Sequence, residues 1–350
     1  MRGFNNLGKE KTMKLYALLA SALIGVASIS PSYAADYKSE YKVSTVVPAP
    51  FPWGIAADKW IELVRERTDG RINMKAYPGT QLVAGEQTKE FTAVRRGAID
   101  MSVSSTINWS PQIPEMNVFA LPFLIPDYKA MDALTGGPVG EKIFEIVRAN
   151  GVEPLAWAEN GFRELTNSKR EVHTPEDLKG MKIRVVGSPL FNDTFTAFGA
   201  NPAQMSWADA KPALTTGAVD GQENPLTIFT IAKMHLVGQK YVTTWGYVAD
   251  PLIFAVSHEV WNDFTPEDQE IIRQAAIEAG ALGIEIARKG LTNGDDSLFK
   301  ELEGLGVTVT HLTDAERQQF VDATRDVYAK WTEIVGPDLV KTAEESVANR

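Results

Sequence analysis

The sequence predicts an α/β fold built as two lobes. Three observations predict it. Strand-like and helix-like periodicities alternate along nearly the whole chain, the pattern of layered α/β architecture. The portion after an N-terminal leader is about 315 residues, long enough for two domains. No internal repeat and no low-complexity linker divides that portion, so the lobes are expected to share crossovers instead of hanging on a tether.

The elements follow in order. Lys9, Lys11 and Lys14 make a basic start, and Leu15–Ile29 is a nearly unbroken apolar run. Ser32-Tyr33-Ala34 offers small residues where a signal peptidase reads, so residues 1–34 read as a signal peptide cut after Ala34 or one residue later. Met13 is an alternative start. The run is short for a membrane span, and no later stretch is long and apolar enough for one. Tyr41–Val47 alternates as a strand, and Gly54–Thr68 carries Ile55, Trp60, Ile61 and Val64 at helical spacing. Arg71–Ala76 is a second strand, Glu86–Arg96 a helix and Ile99–Val103 a third strand. Pro138–Asn150 reads as a helix and Val152–Ala158 as a strand. Thr174-Pro175 opens a capped helix, with Thr at the N-cap and Pro at the first helical position. Lys182–Val186 is a strand, Pro189–Phe198 and Ala208–Thr216 are helices, and Leu252–Ser257 is a strand. Thr265-Pro266 caps a periodic stretch of roughly 35 residues that reaches Leu302, long for a globular helix. Val307–Thr310 is a short strand, and Thr313-Asp314-Ala315-Glu316 is a capping box for the C-terminal helices.

Composition narrows the function. The chain carries a net charge of -10, and loss of the leader, with four basic residues and one acidic, makes it -13. Such a surface repels nucleic acid and anionic lipid, so an anion site must be built locally from particular Arg or Lys residues. With no cysteine there is neither a disulfide framework nor a thiol nucleophile, and 44% hydrophobic residues must supply a core. His173, His235, His258 and His311 are scattered without metal-ligand spacing. A Gly-x-Ser-x-Gly elbow, a P-loop and a dinucleotide fingerprint are all missing, and pairs such as Asp295-Asp296 and Glu344-Glu345 lie in polar surface segments. Catalytic residues, cofactor and metal are therefore not expected.

Recognition chemistry remains. Arg184 lies between Ile183 and Val185 inside an apolar strand, where a guanidinium needs an anionic partner. Arg163 follows a predicted strand in Asn160-Gly161-Phe162-Arg163, and Asn224 follows another in Gly221-Gln222-Glu223-Asn224. Two guanidinium forks and an amide suit the oxygens of a carboxylate. Taken alone, either arginine is explained more simply by an internal ion pair with Asp or Glu. Trp207 opens a predicted helix and reads as core or as pocket wall. Phe51 and Trp53 sit in a Pro-rich loop after the first strand, a place that often carries function.

Several segments in this order resemble the DctP-like solute-binding proteins of tripartite ATP-independent periplasmic (TRAP) transporters. They include Tyr77-Pro78-Gly79-Thr80-Gln81-Leu82, Gly97-Ala98-Ile99-Asp100-Met101, Leu121-Pro122-Phe123-Leu124 and Gly161-Phe162-Arg163-Glu164-Leu165-Thr166-Asn167. The resemblance continues through Thr174–Val185, Phe198–Pro202 and Thr216–Pro225, nearly all of the mature chain. It implies a two-lobe periplasmic binding fold with hinge strands and a long helix spanning both lobes. Residues 35–159 plus about 249–288 would form lobe I, and 160–248 plus about 289–350 lobe II. It implies that Arg184 pairs with the solute carboxylate, that Asn224 supports it, and that Arg163 serves a second anionic group or orders the pocket. It further implies that Glu86 faces the cleft and that Trp207 stacks over the solute. Thr106, Asn108 and Trp109 are placed near it by topology alone. The Ala49–Trp53 loop departs from the family's usual turn and makes one wall bulkier, which favours a compact keto, hydroxy, aromatic or sugar acid over plain succinate.

The resemblance implies a periplasmic receptor that closes on an organic acid anion and docks on an ion-gradient-driven membrane permease, meeting the membrane only through it. The alternatives are a sensor that presents its closed form to a histidine kinase, and a periplasmic enzyme acting on an organic acid.

Overall fold

The computed structural model describes residues 37–292 and 294–350; the signal-peptide reading lies outside them. Nine strands are described: β1 (Tyr41–Ser44), β2 (Met74–Tyr77), β3 (Met101–Ser105), β4 (Val152–Asn167), β5 (Lys182–Val185), β6 (Asn201–Gln204), β7 (Gly221–Asn224), β8 (Tyr241–Ser257) and β9 (Thr308–His311). They join in the order β2-β1-β3-β8-β4-β7-β5-β6, with β9 on β8.

Two long strands organise the rest. β4 and β8 run antiparallel from Val152↔Ser257 to Asn167↔Tyr241. One end of β8 pairs with β3, which leads on through parallel β1 and β2. Its other end pairs with β9, while the far end of β4 pairs with β7 and thence with parallel β5 and β6. The result is the expected two-lobe α/β arrangement, with β4 and β8 common to both halves. The sequence reading ended the earlier strand at Ala158 and began the later one at Leu252. Both continue through Glu159, Asn160, Arg163, Glu164 and Asp250, polar residues that are nonetheless buried. Strands covered on both faces show no polar–apolar alternation, so their true length is hidden. Arg163 therefore lies within β4, not after it. Register shifts between Glu159 and Gly161 and between Arg163 and Leu165 flank it, and bulges of this kind re-aim side chains.

The long helix is shorter than its periodicity suggests. It runs over Pro266–Arg288, capped by the Thr265 hydroxyl accepting from the Asp268 N–H. Lys289 then leaves helical geometry and Gly290 takes φ +78°, a left-handed turn that ends the helix; Ser297–Gly304 is a separate helix. The Thr174 cap starts only a single 3₁₀ turn, Pro175–Leu178. The helix Pro52–Arg67 packs against the long helix, and Trp60, fully buried, donates from its indole nitrogen to the Ile272 carbonyl at 3.0 Å.

Candidate functional site

A narrow cleft lies between the two halves of the sheet, lined by both arginines, Asn224, Trp53 and Trp207. Arg184 projects from β5, the strand held between β6 and β7. It is 1% exposed. Its Nε and Nη2 both donate to the Met205 carbonyl, at 3.1 and 2.8 Å. Among the described residues it has no ion pair. Burial, with Arg163 nearby, pulls its pKa down from 12.5 to about 10, although Glu223 opposes the fall. It remains a cation at neutral pH, buried, and without a carboxylate partner among the described residues.

Arg163 is the opposite case. Its Nε and Nη2 grip the Glu223 carboxylate, Nη2 also donates to the Glu223 carbonyl at 2.9 Å, and Nη1 donates to Asp250 Oδ2 at 2.6 Å. Burial disfavours its charge, but Glu223 and Asp250 more than offset this and raise its pKa. Tyr247 donates its hydroxyl to Glu223 at 2.8 Å, and burial together with that carboxylate holds the phenol well above its ordinary range. Asp250 further accepts from Ser105 Oγ at 2.5 Å and Asn160 Nδ2 at 2.7 Å. The ion-pair explanation weighed for both arginines thus holds for Arg163 and fails for Arg184.

The opposite wall is amide and apolar. Gln87 Nε2 donates to Asn108 Oδ1 at 2.6 Å, and Gln87 Oε1 accepts the Trp207 backbone N–H at 2.8 Å. That N–H opens the helix Trp207–Thr216 and has no intrahelical acceptor. One glutamine amide therefore ties the β3 side of the cleft to the β5–β7 side. Beside it, a Cβ on Gly187 would come within 2.9 Å of Thr88 Cγ2, so this seam admits only glycine without a shift. Ser110 Oγ and Ser188 Oγ meet across it at 3.1 Å. Val46, Val47, Val186 and Ile228 complete the lining.

The sequence-derived residues divide clearly. Arg184, Arg163, Asn224, Trp207 and Trp53 converge on the cleft, and Asn108 joins them. Asn224 is buried at the end of β7, its amide nitrogen on Gln222 Oε1 at 2.8 Å. Trp53 is fixed by its indole N–H on the Val103 carbonyl at 2.7 Å. Glu86 is a correction: it is exposed at the start of a 3₁₀ turn, and the next residue, Gln87, points inward. Thr106 is a second correction. It is buried but absent from the lining, where Ser105 and Asn108 stand on either side of it. Trp109 is core, packed on Phe91 with ring centroids 5.0 Å apart. Phe51 lies with Trp207 along a wider outer depression. Sequence reasoning missed Glu223, Asp250, Asn160, Ser105 and Gln87. The rule that flagged Arg184 would have found Asp250, a lone carboxylate within Tyr247–Val256.

Residues 43–334 match the family of bacterial extracellular solute-binding proteins, family 7 (DctP). The chain belongs to this family. Among its DctP relatives, the 2,3-diketo-L-gulonate-binding periplasmic protein YiaO of Escherichia coli K12 is 34% identical over 295 residues, covering 83% of this chain and 87% of that protein. A TRAP periplasmic solute-binding protein from Ralstonia eutropha H16, solved with bound (S)-2-acetolactate, is 61% identical with a TM-score of 0.89, covering 90% of this chain and all of that one. The sugar-acid-binding protein DctPAm of Advenella mimigardefordensis, solved with galactonate, is 27% identical with a TM-score of 0.82, covering 89% and 98% respectively.

Proposed function

We propose that the protein is the periplasmic solute receptor of a TRAP transporter and captures a short 2-hydroxy-3-oxo acid of the 2-acetolactate type. One observation carries this reading: Arg184 is a buried cation that lacks a carboxylate partner among the described residues, and it lines a narrow cleft between the two halves of the sheet. The solute's carboxylate supplies the missing anion, and Asn224 supports it. Trp53 and Trp207 bound the remaining space and favour a compact body over an extended sugar acid. The acetolactate complex of the 61%-identical relative supports the same class.

In this reading the solute binds the closed arrangement better than the open one because both lobes contact it. The lobes are residues 35–159 plus about 249–288 and residues 160–248 plus about 289–350, pivoting on β4 and β8. The closed form then delivers the solute to an ion-gradient-driven permease. A melting-temperature screen of the mature protein against short organic acids tests the reading. A ligand at 100 times its Kd stabilises by about 2.7 kcal/mol, which is readily seen as a raised Tm. (S)-2-Acetolactate should give such a rise, and a flat response to every carboxylate would sink the proposal. Uptake by vesicles holding the permease, only when receptor and solute are both supplied, tests delivery.

A further inference from the structure

We infer that the Arg163–Glu223–Asp250 cluster makes this pocket selective for a monocarboxylate bearing a neighbouring hydroxyl or keto oxygen, with Asp250 as the determining residue. The inference rests on the receptor reading above and deepens it.

Two guanidinium groups and the Asp250 carboxylate line the cleft, and the Glu223 carboxylate is held by Arg163 outside that lining, each at most 3% exposed. Their four charges cancel. A guanidinium has five N–H donors. Arg163 uses four of them on Glu223 and Asp250, leaving one on Nη1. Arg184 uses two on the Met205 carbonyl, leaving three, among them a pair on Nη1 and Nη2 that can take one carboxylate end-on. The site thus offers one full anion seat. Among the described residues, no third cation lines the cleft. A second carboxylate on the solute would lie beside Asp250 with no cation left to meet it, and a buried charge without a partner is strongly disfavoured.

Neutral oxygen is better served. An ionised carboxylate presents about four lone-pair sites. Asp250 receives Ser105, Asn160 and Arg163, which leaves one for a solute hydroxyl. The spare Arg163 donor suits a keto oxygen. Asp250 is therefore both the acceptor for the hydroxyl and the charge that turns away a second anion.

The test is calorimetric titration of the mature protein with two isosteric probes. (S)-2-Acetolactate and 2-hydroxy-2-methylpropanedioate differ by a methyl group replaced with a carboxylate oxygen, so their comparison isolates charge. The wild type should bind the monoanion at least about 100-fold tighter than the dianion, the scale of one misplaced buried charge. Asp250→Asn should narrow that ratio at least tenfold by weakening the first and strengthening the second. Glu223→Gln is the companion variant should the first not fold, and it should move the ratio the same way. Comparable wild-type affinity for the two probes would overturn the selectivity while leaving the receptor reading intact. An unchanged ratio in the variants, with both ligands weakened alike, would reduce Asp250 to a positioning residue. Failure of both probes, with no other carboxylate bound, would instead refute the receptor reading.

Discussion

Replacing Arg184 with methionine should have opposite consequences for binding and for folding. The depression of its pKa from 12.5 to about 10 corresponds to about 3 kcal/mol against the charged form, at about 1.4 kcal/mol per tenfold. The sign follows from its being a base: the penalty is fully present below pH 10 and fades as pH rises through it. Arg184→Met abolishes that penalty in the ligand-free protein. The Met205 carbonyl then loses both side-chain donors, which costs about 1–3 kcal/mol. The net expectation is a ligand-free protein as stable as the wild type or up to about 2 kcal/mol more stable. Binding loses two charge-assisted hydrogen bonds at about 1.5–3 kcal/mol each, a fall in affinity of about 10² to 10⁴. Urea denaturation without ligand and calorimetric titration measure the two effects separately. Arg163→Met is the contrast. It strands Glu223 and Asp250 as buried unpaired carboxylates and should cost about 3–5 kcal/mol of stability. If Arg184→Met loses as much stability as Arg163→Met, Arg184 is structural and the argument fails. If it keeps near-native affinity, the anion seat lies elsewhere.

Three further outcomes are expected. Gly187→Ala places a methyl group 2.9 Å from Thr88 Cγ2 and should weaken solute binding severalfold without lowering ligand-free stability; adding Thr88→Ala should restore affinity, and a single variant with native Kd would remove the seam from closure. Gln87→Ala removes one hydrogen bond across the cleft, about 1 kcal/mol or roughly fivefold in affinity, and should act through the dissociation rate. Glu90 is fully buried on the Ser44 and Ser104 hydroxyls, and burial pushes its pKa up from 4.5 to about 7. A raised carboxyl binds its proton more tightly when folded, so its contribution to stability declines as pH rises from about 4.5 to about 7. Burial also pushes Glu159 and Glu164 up to about 7, so Glu90→Gln should lessen the slope across that window without abolishing it, and an unchanged slope would assign it to the other two.

Much of the fold was legible because its helices follow ordinary rules. The helices Pro138–Ala149 and Pro189–Ala197 are amphipathic with proline at their starts, and the Thr313 capping box opens the helix Asp314–Ala323 as read. The two longest strands were truncated because β4 and β8 carry polar residues that are buried, which erases the period-2 signal. Arg184 stood out as a charge in a short apolar strand. Glu223 did not, since an acidic residue near a strand end reads equally well as surface, and Asp250 was passed over because its strand was read only from Leu252. Glu86 and Gln87 show the limit of carrying a position over from a family: a one-residue difference on a 3₁₀ turn exchanges an inward side chain for an outward one. The choice between ion pair and anion seat for the two arginines needed three-dimensional neighbours, because both carboxylates that neutralise Arg163 are distant from it in sequence.

The placement of Arg163 and Asp250 on β4 and β8 has a kinetic consequence. In the closure proposed above these strands are the pivot, and groups near a pivot travel little when the arms swing. The polar floor of the cleft is then assembled before any solute arrives, while Gln87, Thr88 and Trp53 ride at the end of a lever. Capture divides into a second-order landing on a rigid floor and a first-order swing of the upper jaw. The observed association rate should rise with solute concentration and then level off at the rate of the swing. Substitutions in the floor should alter the slope of that curve, and substitutions along the Gln87–Gly187 seam its ceiling.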